Sequence, residues 1–192
     1  MIFTVFVNKI GGYYCLRQKY LSTNSSIKKK LYSFINKWYQ HETNSYLPFN
    51  SIIEGPVNFL HGTYGVFISG SAKIGKNCTI FQQVTIGSNM LLDAKKLGSP
   101  SIGDNCLIGA GAKIIGNVKI GNNCRIGANA VVTKDMPDNS VCVVGKEIIK
   151  KENLSNKIYQ FSNNVWGYQE NGKFVPEKEK DKISLLNTTL KQ

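Results

Sequence analysis

The feature that most constrains the fold of this chain is an aliphatic residue that returns at every sixth position through its middle. Six residues turn an α-helix by about 600°, so this step would scatter the side chains around a helix. The step suits short strands joined by tight turns, with the aliphatic side chain pointing inward. Such strands cannot bury their faces alone, so the spacing predicts a parallel β-helix whose coils stack about 4.8 Å apart. The aliphatic positions are Ile68, Ile74, Ile80, Ile86, Ile102, Ile108, Ile114, Ile120, Ile126 and Val132.

Small residues and glycines recur in the same register. A small or compact residue stands two positions before each aliphatic from Ile74 onward, and glycine directly follows six of the ten. The small residue fits inside the coil, and glycine or asparagine supplies the turn. Cys78, Cys106 and Cys124 occupy the small position, which predicts buried fillers and neither ligands nor nucleophiles. The odd count of five cysteines also argues against a disulfide framework.

The register breaks once, between Ile86 and Ile102, where "GSNMLLDAKKLGSP" holds ten residues more than one repeat. A solenoid accommodates such an insertion most easily as a surface loop, here residues 87–99. The leucines of this segment are poorly suited to an isolated exposed loop, which predicts that it packs on another chain or over a cleft. These leucines are Leu91, Leu92 and Leu97.

The chain is strongly basic, with a formal net charge of +12 and an isoelectric point near 9.5. This balance favours an anionic partner: nucleic acid, a membrane surface, a phosphorylated cofactor or an acidic glycan. The basic residues are dispersed and no recognised nucleic-acid motif accompanies them, so we expect no nucleic-acid partner. No apolar run approaches the ~20 residues that span a bilayer. The opening "MIFTVFV" lacks the preceding basic region of a secretion signal, so a cytoplasmic protein is expected.

Three stretches of the repeat region resemble a known family. "HGTYGVFISGSAKIGKNCTIFQQVTIG", "PSIGDNCLIGAGAKIIGNVKIGNNCRIGANAVVTKDMPDN" and "VVG" are similar to the serine acetyltransferase-like hexapeptide-repeat acyltransferases, and closest to the branch that O-acetylates polysaccharides. The resemblance covers about residues 46–145. It implies a left-handed β-helix with three repeats per coil, a homotrimer, and acetyl-CoA bound in grooves between subunits. We expect no metal, for a reason that the histidine count gives below.

The flanks differ in character from the repeat region. We expect a mainly β protein in which residues 1–50 form a partly helical N-terminal segment. Residues 51–145 form the acyltransferase domain with its extruded loop, and residues 146–192 form a C-terminal cap or tail. In that tail, Trp166 and its neighbouring aromatic residues are expected to fold over the last coil, because solenoids need capped ends.

The resemblance places a catalytic histidine at His61, in "FLHGTYGVFIS". A hydroxyl is a poor nucleophile at neutral pH, and imidazole can take its proton as the oxygen attacks a thioester. Transfer can then be direct, with no acyl-enzyme. Glu54, Asn58 or a backbone carbonyl could orient the ring, and Glu54 is preferred because a carboxylate also stabilises the imidazolium.

The resemblance also implies positions for the cofactor. Ala110 in "IGAGA" and Ala128 in "IGANA" match places where family members meet CoA through their backbone. Thr133 and Lys134 match a further contact, and Arg125 stands where a related enzyme has lysine, so both cations suit the CoA phosphates. A zinc enzyme on this scaffold would need about three histidines per metal, and the chain has two in all.

Two departures from serine acetyltransferases bear on the acceptor. Leu60 replaces the aspartate before the histidine, and Gly98-Ser99 replaces an Arg-His pair that helps to recognise an amino acid. We therefore expect an enzyme that moves acetyl from acetyl-CoA to a hydroxyl of a cell-surface saccharide of capsular or lipopolysaccharide type, and the net charge suits an acidic one. The alternatives are serine O-acetyltransferase of cysteine biosynthesis and a non-catalytic β-helix acting as scaffold or binding module.

Overall fold

Short strands fill the middle of the chain in the computed structural model, which describes residues 1–91, 93, 95–145, 148–150 and 155–190. The helices in these ranges are α1 (Ile2–Lys9), α2 (Gly12–Ser22), α3 (Ser26–Thr43) and α4 (Lys180–Leu190). The strands of the repeat region are β1 (Ile52–Ile53), β2 (Asn58–Phe59), β3 (Phe67–Ile68), β4 (Lys73–Ile74), β5 (Thr79–Ile80), β6 (Thr85–Gly87), β7 (Ser101–Ile102), β8 (Leu107–Ile108), β9 (Lys113–Ile115), β10 (Lys119–Ile120), β11 (Arg125–Ile126), β12 (Val131–Val132), β13 (Ser140–Cys142) and β14 (Ile149–Lys150). The strands that follow are β15 (Tyr159–Ser162), β16 (Val165–Glu170) and β17 (Lys173–Pro176).

The repeat region forms three parallel sheets that the chain visits in rotation. Their strand orders are β1-β4-β7-β10, β2-β5-β8-β11-β13 and β3-β6-β9-β12, with β14 added antiparallel to β13. Three repeats make one coil, because Ile126 pairs with Ile108, eighteen residues earlier. The predicted stack of parallel strands in six-residue steps is confirmed.

The aliphatic residues of the repeat form the core of this stack. Each of the ten is at most 3% exposed. The cysteines at the small position are buried beside them, and the Cys78 thiol donates a hydrogen bond of 3.2 Å to the Gly103 carbonyl of the next coil. Cys142 stands at an aliphatic position in the last coil, paired with Ile126, and burial raises the pKa of its thiol, which keeps it protonated. These thiols lie in the core as small fillers.

The turns between strands explain the glycines and asparagines of the repeat. Asn77, Asn105 and Asn123 each have φ between 55° and 57°, the left-handed region that asparagine tolerates. Glycine is required at position 109 because of the close approach of two coils. A Cβ there would lie 2.7 Å from the Ala128 backbone nitrogen of the next coil. The motif thus combines one residue type for turn geometry with another for the close approach of coils.

The inserted segment leaves the stack after β6 and returns before β7. Backbone hydrogen bonds of 2.9 and 2.8 Å between Asn89 and Gly98 close it at its base. Leu91 and Leu97 are exposed in the single chain, and Leu92 lies outside the described residues. That the loop packs on another chain or over a cleft stays a prediction.

Helices α1 to α3 pack on one another at the start of the stack. Ser25 caps α3 by accepting from the Lys28 amide at 3.4 Å. The Glu42 carboxylate near the other end of α3 accepts from the Thr4 amide and hydroxyl, both at 2.7 Å, which fixes α1. Desolvation alone would raise the pKa of Glu42, but these bonds outweigh it and lower the pKa to about 2. Tyr39 of α3 accepts from the Thr63 hydroxyl at 2.7 Å, which joins the helices to the stack.

The C-terminal strands lie against the side of the stack, and the expectation that they cover its last coil is wrong. Strands β15, β16 and β17 form an antiparallel sheet. The Asn156 amide donates to the carbonyls of Asn105 and Cys124, and the Asn171 amide donates to the Asn77 side chain. The corner at which Asn77, Asn105 and Asn123 turn the chain therefore offers a row of polar partners to this segment. Across the described ranges, no helix combines the length and the apolar character needed to cross a membrane.

Candidate active site along one corner of the stack

His61 lies in the turn that follows β2, at the corner between the second and third sheets. Its Nδ1 is 2.9 Å from the Oε1 of Gln82, and its ring meets the Phe81 ring edge to face with centroids 5.3 Å apart. Both partners directly follow β5, which pairs with β2 in the next coil. The stacking of coils therefore brings together residues that are 21 positions apart.

The Gln82 contact determines which ring nitrogen of His61 can act as a base. An amide oxygen only accepts hydrogen bonds, so Nδ1 carries the hydrogen in this arrangement. Nε2 then keeps its lone pair. The ring is exposed in the single chain, so this nitrogen is accessible to a substrate. The arrangement suits general base catalysis by Nε2.

Glu54, the preferred partner from the sequence, occupies another part of the stack. It follows β1 in the first sheet, its side chain is exposed, and its amide donates to the Ile74 carbonyl at 3.0 Å. Among the described residues, no hydrogen bond joins its carboxylate to His61. Gln82 occupies the place that the sequence reasoning assigned to Glu54. The strand register could have predicted the contact between Gln82 and His61, because a residue that follows β5 must lie at the same corner as one that follows β2.

The predicted alanines continue the same corner through the next coils. The Gly111 amide donates to the Gln82 carbonyl at 3.0 Å, and the Asn129 amide donates to the Ala110 carbonyl at 2.8 Å. His61, Gln82, Ala110 and Ala128 therefore follow one another in successive coils. With about 4.8 Å per coil, the line from His61 to Ala128 is about 14 Å long.

Thr133 and Lys134 follow β12, one strand after Ala128 in the same coil. Both are exposed, and with Asn129, Val131 and Gly145 they line a cleft of about 680 Å³. The Lys134 ammonium supplies positive charge at the rim of this cleft. A donor that binds along the corner would place an anionic end here.

Arg125 has a partner that the sequence did not indicate. Its Nη2 donates to the Ser155 carbonyl at 2.8 Å, and its Nε donates to the Asn156 side chain at 3.2 Å. It stands on β11, on the side of the stack that the C-terminal segment covers. The structure therefore assigns Arg125 to holding that segment, which differs from the expected phosphate contact.

A second cleft, of about 470 Å³, is lined by Gln82, the partner of His61. Its walls also include Tyr64, Phe67 and Lys113. Lys113 donates to the Gln83 carbonyl at 2.8 Å, which holds its ammonium at the cleft. In the described part of the chain, no group of three or more His, Cys, Asp or Glu side chains is placed to hold a metal ion.

Comparisons with known proteins agree on one kind of relative. The family described as bacterial transferase hexapeptide (six repeats) matches residues 99–134. The serine acetyltransferase of Mycobacterium tuberculosis is 44% identical over 56 residues, which cover 29% of this chain and 24% of that protein. The serine acetyltransferase of Staphylococcus xylosus is 45% identical over 56 residues, covering 29% of this chain and 25% of that protein.

Solved structures give the same answer at the level of the fold. The serine acetyltransferase of Neisseria gonorrhoeae superposes with a TM-score of 0.57 at 27% identity, covering 73% of this chain and 51% of that one. A serine acetyltransferase in complex with CoA superposes with a TM-score of 0.56 at 25% identity, covering 71% and 54%. This chain spans about a quarter of the curated relatives and about half of the solved structures that it matches.

These comparisons confirm the resemblance to serine acetyltransferase-like hexapeptide-repeat acyltransferases. They also correct the expected acceptor, because these relatives are serine acetyltransferases and none of them is a polysaccharide-modifying enzyme. The expectation of a saccharide acceptor is wrong. It depended on the absent Arg-His pair at Gly98 and Ser99, and a missing residue pair identifies no substitute acceptor.

Proposed function

We propose that this chain, a hexapeptide-repeat protein similar to serine acetyltransferases in sequence and fold, transfers the acetyl group of acetyl-CoA to the hydroxyl of L-serine. The coils wind in the left-handed sense, as the family resemblance implies. Three copies associate so that the corner of one subunit faces its neighbour, and each His61 lies at such a junction. Light scattering at assay concentrations should give the mass of a trimer, and a monomer would contradict this part of the proposal.

The observation that carries the proposal is the line of corner residues that starts at His61 and ends at the cleft beside Lys134. The cleft is lined by the coil of Ala128 and by the next coil, whose Cys142 carbonyl accepts from the Gly127 amide. Three to four coil steps of about 4.8 Å separate the two ends, or about 14–19 Å. This separation suits a donor whose reactive thioester and charged nucleotide are joined by a long flexible arm. The small side chains of Ala110 and Ala128 leave the backbone along the arm open to contact.

The chemistry needs only His61 as a proton carrier. Nε2 takes the proton of the serine hydroxyl as the oxygen attacks the thioester carbonyl. The tetrahedral intermediate then expels the CoA sulfur, which takes that proton from the imidazolium. The products are O-acetylserine and CoA. Gln82 keeps the hydrogen of the neutral ring on Nδ1, so Nε2 is free to accept at the start of each cycle.

The second cleft supplies a positive charge for an amino-acid acceptor. L-serine carries a carboxylate, and the cleft beside Gln82 has the Lys113 ammonium in its wall. Lys113 therefore binds the serine carboxylate in place of the arginine that is missing before Pro100.

The direct test measures CoA release from acetyl-CoA with a thiol reagent in the presence of L-serine. L-alanine is the matched control, because it differs only in the absent hydroxyl and cannot be O-acetylated. We expect release that saturates with L-serine and stays at background with L-alanine. Binding of acetyl-CoA without release would overturn the acceptor assignment, and the absence of acetyl-CoA binding would overturn the whole proposal.

Shortening Gln82 tests its part in holding His61. Gln82→Asn is expected to lower kcat about five- to tenfold, the factor that corresponds to one hydrogen bond of about 1 kcal/mol. The matched control is Gln169→Asn, at an exposed position of β16 that lines neither of the two clefts, and we expect it to stay within about twofold. Equal losses in the two variants would contradict the role of Gln82.

A charge at the same position provides an independent readout. Gln82→Glu keeps an acceptor oxygen beside Nδ1 and adds a negative charge that stabilises the imidazolium. The acidic limb of kcat/KM against pH is therefore expected to move to higher pH. A merely structural role for Gln82 would leave this limb in place.

A further inference from the structure

Helices α1 and α3 carry large apolar side chains that are exposed in the part of the chain that the structure describes. On α3 these are 81%, 53%, 53% and 42% exposed at Ile27, Leu31, Phe34 and Trp38. The steps of four, three and four residues place them in one stripe along the helix. Helix α1 continues this surface, because Phe3 contacts Phe34 and Trp38 at ring-centroid distances of 5.9 and 6.1 Å. We call this surface the outer face; it consists of Phe3, Ile27, Leu31, Phe34 and Trp38, with the exposed Ile2, Val5 and Phe6 of α1 beside it.

The outer face is separate from the side of α3 that packs in the protein. Ile35 and Tyr39 are buried. At about 100° per residue, they lie about a quarter of a turn around the helix from the exposed stripe. Helix α3 therefore has two apolar sides, and the core accounts for only one of them.

Lysines flank the outer face on both sides. The same helical geometry places Lys28 on one side of the stripe and Lys30 and Lys37 on the other, and all three are exposed. Residues 1–44 contain seven lysines and arginines but only one acidic residue, Glu42, a net charge of +6 out of +12 for the whole chain. Glu42 is already bonded to Thr4 and lies near the N-terminal amine. The exposed charges around the outer face are all basic apart from that engaged carboxylate.

We propose that the outer face docks on the surface of an anionic lipid bilayer. A helix with apolar and aromatic side chains on one side and lysines beside them lies in the plane of a bilayer, with the apolar side among the acyl chains and the ammonium groups at the phosphates. The docking is peripheral. It is independent of the proposed acetyl transfer, because the outer face shares no residue with the corner that carries His61.

The charge pattern favours a lipid surface over the two other occupants. Pairing with a second copy would bring the lysines of both copies together with no acidic partner, and lysine is depleted in protein interfaces. Nucleic acid would match the positive charge, but it has no apolar surface to cover the aliphatic stripe. An anionic bilayer satisfies the lysines and the apolar stripe together.

Vesicle flotation tests the proposal with the full chain. Vesicles of phosphatidylcholine with about 30 mol% phosphatidylglycerol are expected to bind at least about tenfold more protein than phosphatidylcholine alone. Raising the salt to about 0.5 M should reduce the binding, because it screens the lysines. Trp166 is 7% exposed and Trp38 is 42% exposed, so a blue shift of tryptophan emission on binding would report Trp38 entering the interface.

Matched variants identify the surface. Lys30→Glu with Lys37→Glu, and separately Leu31→Ser with Phe34→Ser, should each lower vesicle binding at least about tenfold. The control, Lys73→Glu with Lys173→Glu, makes the same charge change at exposed positions of β4 and β17 and should bind within about threefold of the parent. Circular dichroism and acetyl transfer in solution verify that the variants fold.

Three results would overturn the proposal. They are no binding to anionic vesicles, equal binding to both kinds of vesicle, and equal loss in the control and the helix variants. If the parent protein fails to bind vesicles while its mass in light scattering changes when Leu31 and Phe34 are replaced, that result would show that a second copy covers the outer face. Binding of DNA that the lysine pair abolishes, without vesicle binding, would assign the surface to nucleic acid.

Discussion

Replacing His61 by alanine is expected to lower acetyl transfer by about two to four orders of magnitude. The side chain is the only imidazole at the corner, and without it the attacking hydroxyl keeps its proton. Affinity for acetyl-CoA should change little, because the other proposed contacts, at Ala110, Ala128 and Lys134, lie in later coils. Steady-state CoA release gives kcat, and calorimetric titration with CoA gives the dissociation constant.

His41 offers a matched control for this variant. It is the second of the two histidines, and it lies exposed near the end of α3 with its ring 5.7 Å from Trp38. His41→Ala is expected to leave turnover within about twofold of the parent. Unchanged turnover in His61→Ala would reject the general base. Loss of CoA binding in that variant would show that His61 positions the donor instead.

Replacing Ile108 by alanine is expected to have the largest effect on stability. Ile108 is fully buried on β8 and pairs with Ile80 and Ile126 in the coils on either side. The change removes apolar contacts and leaves a cavity that stacked coils cannot collapse into, at a cost of about 2–5 kcal/mol in the free energy of unfolding. Urea unfolding followed by circular dichroism measures the loss as a lower midpoint.

The same substitution at an exposed isoleucine isolates the contribution of burial. Ile52 on β1 is 45% exposed, and Ile52→Ala is expected to cost less than about 1 kcal/mol. All variants must be compared at one protein concentration, because association stabilises the folded subunits. Equal costs at the two positions would show that the inward side of the repeat is not the core.

The arrangement of the strands could be predicted because it depends on local spacing. An inward residue at every sixth position and a turn residue between strands are properties of each repeat taken alone. The insertion between Ile86 and Ile102 was visible for the same reason, as a break in the step. The N-terminal segment that was expected to be partly helical contains α1, α2 and α3.

The candidate site was predicted only in part. His61 could be named from the resemblance of its surrounding residues, and Ala110 and Ala128 could be placed because each stands at a fixed point of the repeat. Gln82 was missed, because a glutamine in a turn cannot be recognised as a histidine partner until its coil is stacked on that of His61. Arg125 was assigned from a relative, whereas the C-terminal segment that occupies it has no counterpart in the repeat.

Periodicity alone established that this protein is a stack of short parallel strands, because every coil repeats the same inward and outward choice. Only the tertiary structure decided which groups meet at the corner, since the hydrogen bond between His61 and Gln82 spans 21 residues and depends on the contact of two coils. The same holds for the helices. Sequence indicated helix in the N-terminal segment, but only the packing of α3 revealed that Ile35 faces the core while Leu31 and Phe34 face outward.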